Sequence, residues 1–351
     1  VRTPNLDRIA NEGVRFTRAH TTAPVCSSGR SAFHEGLYQT CKGTHDHRSH
    51  RDDEYELPGG AQTVAERLEA AGQPFFAQIH FAAPHRGPSF EAARKRAQRI
   101  DQQKIELPPY YPDDARIRDE VGTFYDAIQL LDDQVGTTLQ ALETDKLLDN
   151  TVIFFFGDNG RCLIRGKQWL YQAGTHVPLL VRSPGILKPG TVREDRVLSL
   201  DITAQTLLYA GLPLPAPFDG QALFGAKPQQ TLFTERDRCD MTVDRIRAIQ
   251  DTRYKCSLNL MPEKPYTQHN DYILKEYPTY SVLKEYHAAS KLNVAQSLFM
   301  APEKPREELH DLSRDPHEVE NLAGSVRQQV TLARLRRQLA LARRQYDRTT
   351  S

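Results

Sequence analysis

Five cysteines in 351 residues, at positions 26, 41, 162, 239 and 256 with no C-x-x-C pair, exclude a full disulfide framework and a zinc knuckle. An excess of one charge is missing too. The 46 basic and 45 acidic side chains leave +1, which gives no electrostatic footprint for nucleic acid. Long apolar runs are also absent: the longest, at 152–156 and 177–181, fall far short of the roughly 18 residues a membrane-spanning helix needs. No bilayer span is expected. No secretory leader precedes Thr3-Pro4-Asn5, and no repeat or low-complexity tract stands out. The chain opens inside a secondary-structure element without an initiator methionine, so its true start is expected upstream.

What is present is alternation. Thr3-Pro4-Asn5 predicts a helix running to Gly13, and Val14-Arg15-Phe16 begins a strand. Another helix is expected after Cys26, and Thr63-Val64-Ala65-Glu66 is a capping box for a helix ending at Gly72. Residues 75–81 then read as a buried strand. Ile117, Val121, Phe124, Ile128, Leu131, Val135, Leu139 and Leu142 carry the strongest helical period. The apolar run 151–156 reads as a strand covered on both faces, 177–182 as a further strand and 201–210 as a helix.

This pattern predicts an α/β fold with a mostly parallel central sheet flanked by helices over 1–230. A smaller C-terminal α+β subdomain, 231–351, is expected from strands at 231–234, 245–250 and 254–258, with a hairpin at Asp251-Thr252. Its tail, 325–348, puts Leu332, Leu335, Leu339, Ala342 and Tyr346 on one face and arginines elsewhere. A docked apolar stripe explains that better than a basic nucleic-acid or membrane helix.

Three places carry side chains suited to chemistry. Cys26, preceded by extended Ala-Pro-Val, sits where a helix N-terminus favours negative charge, with Arg30 one turn on. A nucleophile at 26, N–H groups facing an anion and a guanidinium fork suit an anionic ester, although a lone cysteine there also serves as packing. Asp158-Asn159 follow a strand and offer hard oxygen ligands for calcium or magnesium, or simply make a turn. Lys167 could neutralise an anion or protonate a leaving oxygen. His85, in Ala83-Pro84-His85-Arg86 beyond the 75–81 strand, is a candidate proton donor at the same sheet end. His45, His47 and His50 with Asp46 match no specific metal geometry and suit surface roles. Arg236, Asp237, Arg238 and Cys239 are candidates for the substrate side.

In order, these pieces read Thr3-Pro4-Asn5-Leu6-Asp7-Arg8, C-x-x-x-R, P-H, F-F-G-D-N-G, R-G-K, then Glu308-Leu309-His310-Asp311-Leu312 with Asp315-Pro316 and Asn321-Leu322. The chain resembles the type I, formylglycine-dependent sulfatases of the alkaline phosphatase superfamily, over essentially its whole length. Its 158–178 loop is similar to that of bacterial relatives of heparan N-sulfatase.

The resemblance implies a sulfatase, a sulfuric ester hydrolase acting on sulfate esters or sulfamates of carbohydrate. Cys26 would become formylglycine, whose hydrate attacks sulfur. Arg30 would hold the nucleophile, Lys167 contact the sulfate and His85 protonate the leaving atom. Asp158, Asn159 and residue 26 would bind calcium. Implied partners are a sulfated small molecule or glycan and a formylglycine-generating or sulfatase-maturing enzyme, with no nucleic acid; a periplasmic or secreted address is expected. The alternatives are a phosphate or phosphonate ester hydrolase on the same scaffold and an inactive sulfatase-like remnant.

Three departures accompany the likeness. Ser28 stands where the family usually has proline, which bears on recognition by the maturing enzyme. The family's first strand, ending in paired aspartates that complete the metal site, would precede Val1. An intervening segment with a strand and a catalytic lysine has no counterpart between Gly72 and Pro74.

Overall fold

Proline at the first position of α1 (Pro4–Asn11) and Gly13 beyond its end bracket that helix as predicted, and β1 (Val14–His20) follows at once. The computed structural model describes residues 1–44, 46–47, 63–70, 75–225 and 227–347. The elements continue as α2 (Cys26–Glu35), β2 (Asp46–His47), α3 (Val64–Ala70), α4 (Pro88–Arg94), α5 (Ala115–Thr144), β3 (Ile153–Phe156), α6 (Gln172–Thr175), β4 (Leu179–Arg182), β5 (Thr191–Leu198) and α7 (Ser199–Tyr209). Then come β6 (Leu232–Cys239), β7 (Thr242–Gln250), β8 (Tyr254–Asn259), α8 (Asp271–Glu276), α9 (Pro278–Ala288), α10 (Val294–Ser297), β9 (Glu307–Asp311) and α11 (Gln329–Tyr346).

The strands form two sheets, ordered β3-β4-β1-β5 and β2-β6-β7-β8-β9. The α/β character expected from alternation holds, but the first sheet is mixed rather than mostly parallel. β1 pairs with β5 in parallel, whereas β4 runs against both β1 and β3. A parallel return needs a crossover, usually a full helix. Between β3 and β4 the chain forms only the four-residue α6 and spends the rest on the loop that builds the site.

Two further expectations fail in the same neighbourhood. Residues 75–80 belong to no ladder, and Phe75, Phe76 and Ile79 are exposed; Phe81 packs on the core with Ile153 and Phe155. β propensity reports fit to a pleated surface, and the segment forms no ladder with the edge strand β3 beside Phe81. β3, expected to be covered on both faces, lies at the edge of its sheet and is half-buried throughout.

The helices follow their sequence signals closely. Asp114 caps α5 by accepting from Arg116 N at 2.8 Å, and Ile117, Val121, Phe124, Leu131, Val135 and Leu139 are buried along it. From the same helix Asp132 accepts from the backbone N–H of Leu6 at 2.8 Å and of Asn5 at 3.2 Å, a carboxylate at the positive end of α1. Thr63 and Glu66 form the capping box of α3; its expected end at Gly72 lies outside the described residues.

β7 and β8 make the hairpin predicted around Asp251. Leu332, Leu335 and Leu339 of α11 are buried against Leu232, Phe233, Ile249 and Leu309, so the tail is a docked helix with a solvated arginine face. Among the described residues no helix is long and apolar enough to cross a membrane.

Candidate active site

β1 delivers the chain to an extended Val25, after which Cys26 takes the first position of α2. The N–H groups of its first turn have no intrahelical carbonyl to bond and offer positive potential there. β3 ends opposite, at Gly157-Asp158-Asn159. What lets the two meet is Gly29: a Cβ there would lie 2.8 Å from the Asp158 carbonyl oxygen and 2.9 Å from Thr21 Oγ1, closer than real side chains come. Gly160 is equally tight, since a Cβ would sit 2.2 Å from the Ala173 carbonyl. Both glycines are therefore needed for approach of backbone to backbone.

This close approach brings most of the candidate residues together. Asn159 Nδ2 donates to Cys26 Sγ at 3.2 Å and to Asp158 Oδ1 at 2.8 Å, so one amide nitrogen joins thiol and carboxylate. Arg30 Nε donates to Asp158 Oδ2 at 2.6 Å. Its Nη2 meets His80 Nε2 at 2.7 Å. Cys26 is half-buried and forms no disulfide. Ser28 is buried and its hydroxyl has no hydrogen-bond partner among the described residues.

Lys167 and His85 form the other half. Lys167 is 3% exposed, and its Nζ donates to His85 Nε2 at 2.9 Å. Accepting there leaves the ring proton on Nδ1, which faces the Arg86 carbonyl at 3.1 Å; the tautomer follows from this network. Burial works against the lysine's charge, but its Coulombic attraction and hydrogen bond to Cys26 outweigh that and raise its pKa. The backbone on either side is strained, with Arg165 at φ 66° and Gln168 at φ 84°, both in the left-handed region. Gln168 N bonds the Pro24 carbonyl at 2.9 Å, which ties the lysine loop to the approach of Cys26.

Arg86 anchors the histidine. It is 6% exposed, donates to the carbonyls of Cys162 at 2.8 Å and Glu276 at 2.6 Å, pairs with Glu120, and lies 3.7 Å over the Tyr277 ring. Sequence reasoning missed this residue and His80. His80 was hidden inside the strand expected at 75–81; Arg86 had a visible signal, because a charged residue directly after a candidate acid is a natural brace.

The expected metal site is not formed by the residues present. Among the described residues no three His, Cys, Asp or Glu side chains come together. Both oxygens of Asp158 are bonded, by Arg30 and Asn159, whereas calcium takes about six to eight oxygen ligands. His45 and His50 lie outside the described residues, as do the side chains of Asp46 and His47. Of the 236–239 group, Arg236 pairs with Asp244 and Asp237 with Arg247, both buried. These charges are consumed inside the second sheet rather than offered to a substrate. Cys239 is close enough to Lys167 and Cys26 to interact electrostatically, and burial pushes its thiol up to about 12.

Cys26 at a helix N-terminus, with Arg30 and Lys167 beside it, lies beyond the strand ends of a helix-flanked α/β sheet. The chain superposes over its full length on a protein solved in complex with its substrate D-glucosamine-2-N,6-O-disulfate, with TM-score 0.67, 16% identity and 94% of that chain covered. The sulfatase family model matches residues 1–72 and 57–212, and the chain belongs to the sulfatase family, hydrolases of sulfuric esters.

Two relatives extend the match beyond residue 212. An ulvan-active sulfatase of Formosa agariphila is 29% identical, covering 96% of this chain and 70% of its own length. Human N-sulphoglucosamine sulphohydrolase is 26% identical, covering 97% of this chain and 85% of its own. The first alignment spans 417 residues against the 351 of this chain, so that relative carries residues with no counterpart here. The overlap of the two family matches at 57–72 falls just before the place where the sequence passes directly from helix to 75–81.

Proposed function

We propose that this sulfatase removes sulfate from carbohydrate, as an O-ester or a sulfamate, with residue 26 as its nucleophile, in a periplasmic or secreted setting. The observation that carries the reading is the joining of Cys26, Asn159, Asp158 and Arg30 by hydrogen bonds, with Lys167 held between Cys26 and His85. The surroundings of residue 26 suit a small hydroxylated side chain: an amide donor, an ammonium and a helix N-terminus all face it. Once a formylglycine-generating or sulfatase-maturing enzyme has oxidised Cys26, the hydrated aldehyde supplies a hydroxyl nucleophile.

The chain's own residues do the rest. Lys167 and the first turn of α2 draw the sulfate oxygens in and stabilise the charge that develops on them. Arg30, held by Asp158, adds a second cation and keeps its guanidinium beside the nucleophile. With its Nδ1 kept at the Arg86 carbonyl, a protonated His85 delivers the Nε2 proton to the departing oxygen or nitrogen once the substrate's sulfate has drawn Lys167 off that nitrogen.

Mass spectrometry of the peptide containing residue 26, from a host with the maturing enzyme, should show loss of the thiol. Paired assays with N-sulfoglucosamine and an aryl phosphate should show faster sulfate release. An unmodified thiol, or faster phosphate turnover, overturns the proposal.

A further inference from the structure

The loop that starts at Asp158 continues through two arginines that the catalytic reading does not use. Arg161 and Arg165 line a cavity of about 300 Å³ together with Tyr110, Gln172, His317 and one carboxylate, Glu318, which is itself paired with Lys255. Arg165 is 2% exposed and, among the described residues, forms no ion pair. Its guanidinium donates to the backbone carbonyl of Glu318 and lies 3.8 Å over the Tyr171 ring and 5.0 Å over that of Tyr110. Its Nε has no partner. Carbonyl dipoles and ring faces compensate a buried cation only in part.

The charges beneath the cavity do not close the balance. Lys255 pairs with Glu318 at 3.4 Å, and His310 lies between Glu308 at 3.3 Å and Asp315 at 3.7 Å. Burial opposes the charge on His310, but bonds to Asp315 and Glu308 raise it to about 9, so it is a cation at neutral pH. Three carboxylates thus meet four cations, Arg161, Arg165, Lys255 and His310. Arg161 is half-exposed at the rim and, among the described residues, has no carboxylate partner either.

We propose that this cavity is a second anion-binding site, separate from Cys26, which takes a tetrahedral sulfate or phosphate group as the free ion or as an ester on a bound saccharide. Guanidinium forks suit such oxygens geometrically. The proposal does not depend on the chemistry at residue 26, since binding alone reads it out.

Calorimetric titration of the whole chain with inorganic sulfate tests it. Arg161→Gln should weaken one binding event by roughly tenfold or more, the loss of a charge-assisted contact, while Lys167→Met leaves that event unchanged. Sulfate binding that ignores Arg161→Gln, that vanishes wholly with Lys167→Met, or that is not detected in the parent chain overturns the proposal. Repeating the titration with a sulfated disaccharide separates the sources: a matching loss assigns the ester group, and a loss confined to inorganic sulfate assigns the free ion. If Arg161→Gln fails to give a cooperative melt, anomalous scattering from selenate-soaked parent crystals decides, because a peak between Arg161 and Arg165 supports the site and its absence overturns it.

Discussion

Arg30 and Asp158 keep 37% and 28% of their side chains exposed, while Arg247 and Asp347 keep 1% each. Both are arginine–aspartate pairs of similar length, yet they do opposite things. Arg247 donates to Asp347 at 2.8 and 3.1 Å, to Asp237 at 3.1 Å and to the Arg236 carbonyl at 2.9 Å, fastening the residue after α11 to the second sheet. None of these donors faces water, and none is left for a ligand. At the site, Arg30 is shared between Asp158 and His80 and remains half in solvent. The donors of Arg247 are spent on the fold, whereas Arg30 keeps part of its guanidinium in reach of a ligand.

The comparison breaks most sharply at the nucleophile. Cys26→Ala should lower release of sulfate from a sulfate ester by at least about 10⁴-fold in a steady-state assay, with the thermal melt hardly moved. Arg247→Met should do the reverse: uncompensated Asp347 and Asp237 are stranded in the core, costing on the order of 3–5 kcal/mol in urea denaturation, with turnover per folded molecule preserved. A loss below about 1 kcal/mol would erase the contrast.

His310 sharpens it by pH. Its pKa rises from 6.5 to about 9 in the fold while that of Glu308, despite burial, falls from 4.5 to about 2 through the histidine and its other bonds. The folded state therefore holds the histidine proton more tightly, and its contribution, roughly 3 kcal/mol, is complete below pH 6.5 and fades as pH rises through 9. Denaturation midpoints between pH 6 and 10 read this directly, and His310→Gln should flatten the decline. Smallest of all, Asp158→Asn should change stability by less than about 1 kcal/mol, because its pair with Arg30 is partly solvated; a larger drop in the melt would place this pair with the buried clasps.

Much of this was legible from local patterns. Thr3-Pro4 with Gly13, the period of Ile117 to Leu142 and the apolar face of α11 are each satisfied by residues a few positions apart, and each formed as read. The candidate site residues were legible for a different reason: Cys26, Arg30, His85, Asp158, Asn159 and Lys167 stand in the order of the family's motifs, and the fold brings the first two to the 158–159 turn and Lys167 to His85. What failed was pairing. Residues 75–81 have strand-forming side chains but join no ladder, and the direction of β4 depends on how the 157–178 loop is spent. His80 was misread with its segment. The buried clasp around Arg247 was illegible, since Arg247 and Asp347 lie a hundred residues apart and resemble any surface charges.

At Gly29 a helix and a turn from distant parts of the chain touch through an empty space no larger than a methyl group. That vacancy sets the working gap between nucleophile and carboxylate more firmly than any bond across it, because a hydrogen bond stretches and a steric stop does not. Enlarging residue 29 would act as a wedge, opening the centre while every named reactive group stayed in the sequence.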